Sequence, residues 1–361
     1  MKVAPLYHAL KCENWAKPVI VHTGQHYDLN MSDVFFHDLG LDQPDIHLGI
    51  GSGSHAEQTG RVMIAYEKIL LKTKPDLVVV VGDVNATLAC TIAALKVSYS
   101  NPTRLNRPIV AHLEAGLRSF DKTMPEEINR MITDTLADIL WTPSPDADEN
   151  LFREGISSRK VVRVGNIMID SFKMLQKKID KEKVYKQFGL TSKSYGLITF
   201  HRPSNVDDLD RLKDLCDVLT RISLKIPLIF PLHPRTRKSL EQFELFDELN
   251  TAEQIIITEP LNYIRFMSLV VNSRIVITDS GGIQEETTYL GIPCLTIRDS
   301  TERPITISQG TNKLCNIKNI EPNVKELLSH NKFFNCKIEL WDGQTNKRVV
   351  ESIKTAFANR F

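Results

Sequence analysis

The segment Thr278-Asp279-Ser280-Gly281-Gly282-Ile283-Gln284-Glu285-Glu286 follows an apolar run and opens a helical pattern. Adjacent glycines let a backbone come close to a ligand, Ser280 offers a hydroxyl, and the N–H groups at a helix start attract negative charge. The segment reads as an anion site, against the plainer reading of a β–α turn capped by Ser280. Glu286, one turn further on, either reaches a ribose hydroxyl or is an ordinary surface glutamate. The spacing is neither G-x-x-x-x-G-K-[ST] nor G-x-G-x-x-G, so neither an ATPase loop nor a nicotinamide fingerprint is expected.

Three carboxylates stand at or just beyond apolar runs: Asp83 after Val78-Val79-Val80-Val81-Gly82, Glu114 in His112-Leu113-Glu114-Ala115-Gly116, and Glu126 in Pro125-Glu126-Glu127. Asp83 either caps the next helix or works on a ligand, whereas Glu114 is followed too soon by Gly116 for a clean cap. Carboxylates converging on one cleft push their proton affinities apart, which is what acid–base chemistry near neutral pH uses. Arg118 and Arg130 lie nearby and either pair with them or contact substrate. His201-Arg202-Pro203 follows Leu197–Phe200, and a His-Arg pair there suits a polyphosphate, with the imidazole as proton carrier or phosphate donor. His233-Pro234-Arg235 repeats the pattern one run later. No histidine and carboxylate set has H-E-x-x-H or similar spacing, so no metal and no cofactor is expected.

These motifs need a frame, and the apolar runs supply one. The first set is Pro18–His22, Leu77–Val81, Pro108–His112, Ile139–Thr142 and Val161–Val164; the second is Leu197–Phe200, Leu228–Phe230, Ile255–Ile257, Ile275–Thr278 and Cys294–Ile297. Runs apolar almost throughout predict parallel strands covered on both faces. Helical spacing separates them: Ile128, Met131, Ile132 and Leu136 share one face of a helix over Glu126–Leu136, and Leu209, Leu212, Leu215, Val218, Leu219 and Ile222 mark another. The chain thus reads as α/β, with two Rossmann-like doubly wound parallel-sheet domains over 1–166 and 167–344. The lysine-rich stretch 167–195 is the expected join, and a helix over about 345–361 is expected to pack back on the first domain. In open α/β sheets ligands sit beyond the carboxyl ends of strands, where the polar motifs fall.

A chain of 361 residues fits two domains. With 45 basic and 44 acidic residues there is no basic excess for nucleic acid, and an anionic ligand must be held by a local site. The six cysteines are scattered without a C-x-x-C pair, as in a reducing compartment. No apolar run reaches the roughly 18 residues of a membrane span, so a cytoplasmic location with no membrane partner is expected.

In chain order, Pro5-Leu6-Tyr7-His8-Ala9-Leu10, Thr23-Gly24-Gln25-His26, Gly82-Asp83, His112–Arg118, Pro125–Arg130, His201-Arg202-Pro203, Asp279–Glu286 and Arg298–Pro304 resemble the non-hydrolysing UDP-N-acetylglucosamine 2-epimerases. The resemblance implies a GT-B-like pair of domains facing a cleft that holds UDP, and inversion at C2 by loss and re-addition of UDP, in the synthesis of cell-surface polysaccharide precursors. It implies catalytic roles for Asp83, Glu114, Glu126 and His201. UDP or substrate contacts would come from Lys2, Arg118, Arg130, Arg202, His233, Ser280, Gly281, Gly282, Glu286 and Arg303. It further implies a second, activating nucleotide sugar near Gln25, His26 and Arg61, and a homodimer. The chain departs from the family at His201-Arg202-Pro203-Ser204-Asn205, where His-Arg-Arg-Glu-Asn is usual. That variant resembles relatives acting on UDP-2,3-diacetamido-2,3-dideoxy-glucuronate, with Arg235 and Arg237 to meet the sugar carboxylate. A GT-B glycosyltransferase and a UDP-sugar-binding protein without catalysis are further readings. A strand ending in Gly-Thr-Arg-Pro-Glu, which precedes the Lys-x-Ala-Pro segment in the family, has no counterpart before Lys2-Val3-Ala4-Pro5. The first sheet is therefore expected to lack its central strand, and the diphosphate an arginine.

Overall fold

Strands whose side chains are apolar on both faces need cover above and below, which a parallel sheet between helical layers provides. The computed structural model describes residues 1–24, 36, 38–41, 43–99, 106–329 and 336–358. The chain divides into two compact units, Met1–Met174 with Glu339–Phe361, and Leu175–Ile338.

The first unit begins with helix α1 (Val3–Lys11), strands β1 (Val21–His22) and β2 (Ile46–His47), and α2 (His55–Thr73). There follow β3 (Leu77–Val81), α3 (Asn85–Lys96), β4 (Ile109–Leu113), α4 (Pro125–Leu136), β5 (Ile139–Thr142), α5 (Pro145–Arg153), β6 (Val161–Arg163) and α6 (Ile167–Glu182), which continues past Met174 into the second unit. Strands β3-β4-β5-β6 form one parallel sheet, and β1 and β2 form a separate parallel pair. Helix α2 starts on a capping box, Ser54 accepting from the Glu57 N–H while the Glu57 carboxylate accepts from the Ser54 N–H.

The second unit alternates β7 (Gly196–Thr199), α7 (Leu209–Ser223), β8 (Leu228–Pro231), α8 (Pro234–Gln242), β9 (Ile255–Thr258), α9 (Tyr263–Asn272), β10 (Ile275–Thr278), α10 (Gly281–Leu290), β11 (Cys294–Ile297), β12 (Asn312–Cys315) and α11 (Ile317–Ser329). Its six parallel strands run β12-β11-β10-β7-β8-β9. The order reverses between β7 and β10, and the carboxyl ends beside such a switch point are where doubly wound sheets take ligands. Leu212, Leu215, Val218, Leu219 and Ile222 of α7 are buried against this sheet, as their spacing predicts, together with Ile320 and Val324 of α11, whereas Leu209 of the same face, at the first turn of α7, is exposed.

The final helix α12 (Thr345–Ala358) belongs to the first unit. Its Val349, Val350 and Ile353 join Leu6 of α1 on one face of the sheet, against Ala111, Leu113 and Trp141. Helices α2 and α3 cover the other face with Val62, Tyr66, Leu70, Ala89 and Ala93. The Trp141 indole donates to the Ser352 hydroxyl at 2.9 Å, so the packing has a polar fastening.

Three sequence expectations change. The strand expected over Pro18–His22 shortens to two residues, and β2 and β12 were not foreseen, because Ile46-His47 and Asn312-Lys313-Leu314-Cys315 are not apolar runs. The apolar stripe of α4 does not face the core: Ile128, Ile132 and Leu136 are 40, 37 and 39% exposed, while Glu127, Asn129, Arg130, Thr133 and Asp134 are buried. The inward face of α4 is taken by the ion pairs described below, which no amphipathic pattern announces.

Gly165, just past β6, has φ +93°, and a Cβ there would collide with the Leu340 carbonyl, whose own residue has φ +62°. Gly165→Ala is expected to lower the unfolding free energy by about 2–4 kcal/mol, combining a left-handed backbone penalty with the clash. Urea denaturation measures this; an unchanged midpoint would mean that the 339–343 segment is not fastened at that point.

Candidate active site

In the first unit the strand ends carry the chemistry. After β3 the backbone turns at Gly82, φ +68°, and presents Asp83, which is one-third exposed. Asp83 does not cap α3, whose first residue follows Val84 without a side-chain cap. Its carboxylate instead accepts from Arg130 Nη1 at 2.5 Å. Arg130 also donates through Nη2 to Glu127 at 2.6 Å, and Glu127 accepts from the Ser119 and Phe120 backbone N–H groups at 3.0 and 2.9 Å. Burial raises the proton affinity of Glu127, but these bonds and Arg130 outweigh it and hold its carboxyl below the usual range. Sequence reasoning passed over Glu127 in favour of its neighbour; the i,i+3 spacing to Arg130 was the available signal. Glu126 is half-exposed at the start of α4 and has no ion pair among the described residues.

Glu114 follows β4 with φ +77°, a conformation costly for a side-chain-bearing residue and found mostly where surrounding bonds over-determine it. Its backbone N–H and that of Ala115 both donate to the Trp141 carbonyl, at 3.1 and 3.0 Å. The buried Glu114 carboxylate pairs with Lys2 at the start of α1. Lys2, Asp83 and Glu114 thus lie at neighbouring strand ends, and a Cβ on Gly82 would sit 3.4 Å from Lys2 Nζ and 3.8 Å from Glu114 Oε2. For Arg118, which the sequence left open between pairing with carboxylates and contacting substrate, the structure shows the pairing. Arg118 is 1% exposed and committed to Asp134 at 2.7 Å, to Glu154 through two 2.7 Å bonds, and to the Leu117 carbonyl.

In the second unit the residues meet at the switch point between β7 and β10. Asp279, fully buried after β10, accepts from the His201 N–H at 3.1 Å, the Arg202 N–H at 2.9 Å and Asn205 Nδ2 at 3.1 Å. His201 Nδ1 lies 3.1 Å from the same carboxylate. Burial works against the charge on Asp279, yet His201, the Arg202 N–H and Asn205 hold its carboxyl below the usual range. With Nδ1 so engaged, His201 has Nε2 left for a ligand. The His233 ring lies 5.3 Å from that of His201, and its Nδ1 accepts from the Arg235 N–H, capping α8. An accepting Nδ1 leaves the hydrogen on Nε2, and burial followed by the nearness of His201 lowers the proton affinity of His233. Arg202 turns inward, Nε donating to the Asp279 carbonyl at 2.9 Å.

Helix α10 begins beside them. The Ser280 hydroxyl makes no cap to its own helix, so the capping reading is not what the structure shows. Gly281 is crowded, since a Cβ would lie 2.5 Å from Glu302 Oε1 and 2.9 Å from Arg303 Nη1, while Gly282 faces open space within 4 Å. Arg303 is buried and pairs with Glu285 at 2.9 Å and with Glu302, which Arg298 also meets at 2.9 Å. Arg303 therefore walls the glycine turn. Glu286 is 4% exposed and accepts from the Tyr263 hydroxyl at 2.6 Å, a partner that sequence reasoning did not find. Burial pushes the Glu286 carboxyl up to about 7, against the opposing Tyr263 bond and with a further contribution from Glu285.

The remaining expected residues lie elsewhere. Arg61 is exposed on α2, 3.7 Å from Glu57, and Gln25 and His26 lie outside the described residues. Arg235 pairs with Asp207 at 2.5 Å and Arg237 with Glu259 at 2.6 Å. No group of three or more metal-ligating side chains occurs among the described residues.

Comparison with known proteins gives the arrangement its setting. A family profile described as UDP-N-acetylglucosamine 2-epimerase matches residues 8–354. The UDP-N-acetylglucosamine 2-epimerase of Methanocaldococcus jannaschii is 42% identical over 97% of this chain and 94% of its own. The UDP-2,3-diacetamido-2,3-dideoxy-D-glucuronate 2-epimerase of Pseudomonas aeruginosa is also 42% identical, over 82% of this chain and 79% of its own. The crystal structure of the Methanocaldococcus jannaschii enzyme in complex with UDP-GlcNAc and UDP superposes with a TM-score of 0.86, covering 98% of this chain and 96% of that one. The α/β fold with parallel sheets is accordingly of the GT-B-like kind expected from the sequence.

Glu286 makes a pH-dependent contribution whose sign is fixed. Its folded value of about 7 lies above the usual glutamate range, so the folded state binds more protons between about pH 4.5 and 7, and stability falls as pH rises through that window. Glu286→Gln cannot ionise. Its unfolding free energy relative to wild type is expected to climb by about 2–3 kcal/mol between pH 5 and pH 8, at roughly 1.4 kcal/mol per unit. Denaturant titrations at the two pH values check this, and a difference independent of pH would contradict the burial argument.

Proposed function

Because this chain belongs to the UDP-N-acetylglucosamine 2-epimerase family, we propose that it interconverts UDP-N-acetylglucosamine and UDP-N-acetylmannosamine without a nicotinamide or a metal. One carboxylate of the first unit removes the C2 proton. The electron pair of that C–H bond forms the C1=C2 double bond of a 2-acetamidoglucal, and the C1–O bond breaks with its electrons going to UDP. A second carboxylate then delivers a proton to the opposite face of C2, and the β-phosphate oxygen adds back at C1. The observation that supports this most directly is the gathering of Asp83 and Glu114 at adjacent strand ends, with Glu126 available at the start of α4. Acid–base catalysis needs such groups at fixed positions on both faces of the reacting carbon.

Binding of UDP falls to the second unit. His201 Nε2 and the N–H groups at the start of α10 suit the diphosphate, Ser280 and Gly282 leave room for it, and Glu286 suits the ribose hydroxyls. Arg202, His233 and Arg303 shape this surface from behind, and Lys2 balances charge at the carboxylates. A glucuronate sugar would need a cation for its carboxylate, and the ion pairs of Arg235 and Arg237 with Asp207 and Glu259 favour the uncharged acetamido sugar.

The enzyme acts in the cytoplasm as a supplier of polysaccharide precursors, a placement supported by six free cysteines. It is a homodimer, for which the exposed stripe Ile128, Ile132 and Leu136 on α4 offers an apolar contact.

Two experiments test these readings. Proton NMR of the protein with UDP-N-acetylglucosamine in D₂O is expected to show the manno epimer appearing with deuterium at C2. Absence of exchange in folded protein that binds UDP would sink the epimerase reading. For the dimer, Ile132→Glu is expected to halve the sedimenting mass at micromolar concentration; equal masses for variant and wild type would remove α4 as the interface.

A further inference from the structure

The turns that carry Asp83 and Glu114 are tied to one another through a buried pair, His112 and Asp134. His112, fully buried within β4, places Nε2 2.8 Å from the Gly82 carbonyl and Nδ1 2.6 Å from Asp134 Oδ1. Gly82 is the residue whose left-handed turn aims Asp83. The second oxygen of Asp134 accepts from the Gly116 N–H at 3.0 Å, two residues beyond Glu114, and from Arg118 at 2.7 Å. Arg118 is in turn anchored on Glu154. One carboxylate on α4 therefore sets the turn after β3, through the imidazole, and the turn after β4, directly. Glu114 lies in the strained φ +77° region, so its position depends on such outside bonds rather than on backbone preference.

We propose that His112, held by Asp134, is a positioning residue of the epimerase reaction, setting Asp83 relative to Glu114 through the Gly82 carbonyl. The proposal rests on the epimerase reading. It predicts that loss of the tether slows proton transfer without weakening UDP, which belongs to the second unit. A displacement of about 1 Å at a reacting group costs on the order of 100-fold in rate.

The test compares two amide replacements. Gln places its amide near the former Nε2 and can still donate to Gly82, whereas Asn reaches only toward Asp134. C2 deuterium exchange of UDP-N-acetylglucosamine is measured first with wild type; no exchange there would fail the epimerase reading itself and leave the variants unneeded. Given an active wild type, His112→Gln is expected to exchange within about tenfold of it, and His112→Asn about 100-fold more slowly, with KM and UDP affinity in both within about twofold. Equal losses in the two variants, or losses tracking UDP affinity, would overturn the proposal in favour of a merely structural histidine, as would near-normal exchange in both. Should neither variant fold, wild type labelled with ¹⁵N-histidine decides. A His112 Nε2–H signal that shifts on adding UDP-N-acetylglucosamine supports the tether, and one unmoved at saturation overturns it.

Discussion

A carboxylate removed from water must be surrounded by donors, and in this protein one such group in each unit organises the strand ends. Asp279 gathers His201, Arg202 and Asn205 at the switch point of the six-stranded sheet. Asp134 gathers His112, Gly116 and Arg118 beneath the four-stranded one. In both cases the carboxylate accepts backbone N–H groups of a turn that leads to functional side chains. Removing either charge would take the acceptor from the turn's backbone N–H groups, Gly116 in one unit and His201 and Arg202 in the other, so the turns depend on the charges.

This arrangement explains why so many charged residues of the motifs face inward. Arg118, Arg130 and Arg303 carry the charge that a phosphate ligand would want, yet each is committed to acidic neighbours. Their part is to hold turns in unusual shapes: the loop at Ser119 and Phe120 through Glu127, and the crowded turn at Gly281 through Glu302. By contrast, the His201 side chain is partly exposed and Gly282 faces open space.

Much of the architecture was legible in the sequence because parallel strands declare themselves as unbroken apolar runs. Leu77–Val81, Ile139–Thr142 and Ile275–Thr278 have the bounds expected. The helix α7 also buries the face its spacing predicts, except Leu209 in its first turn. Short strands such as β2 and β12 left no such mark, since pairing rather than composition makes them strands. Helix α4 misled because its strongest periodicity belongs to its exposed face, while polar Glu127, Arg130 and Asp134 point inward. The site was readable as positions at strand ends but not as partnerships. Nothing in the sequence pairs Arg118 with Glu154, Tyr263 with Glu286, or Asp134 with His112; those pairs exist only once helices lie across strands.

The first unit closes with a helix drawn from beyond residue 339, after the whole of the second unit has been traversed. A ribosome therefore releases the contiguous Leu175–Ile338 segment while the four-stranded sheet still lacks part of its cover. The unit made first is the unit finished last. Through much of translation, the apolar face containing Ala111, Leu113 and Trp141 waits for Val349, Val350 and Ile353. Such a face is a natural client for chaperones that bind exposed apolar surface during synthesis.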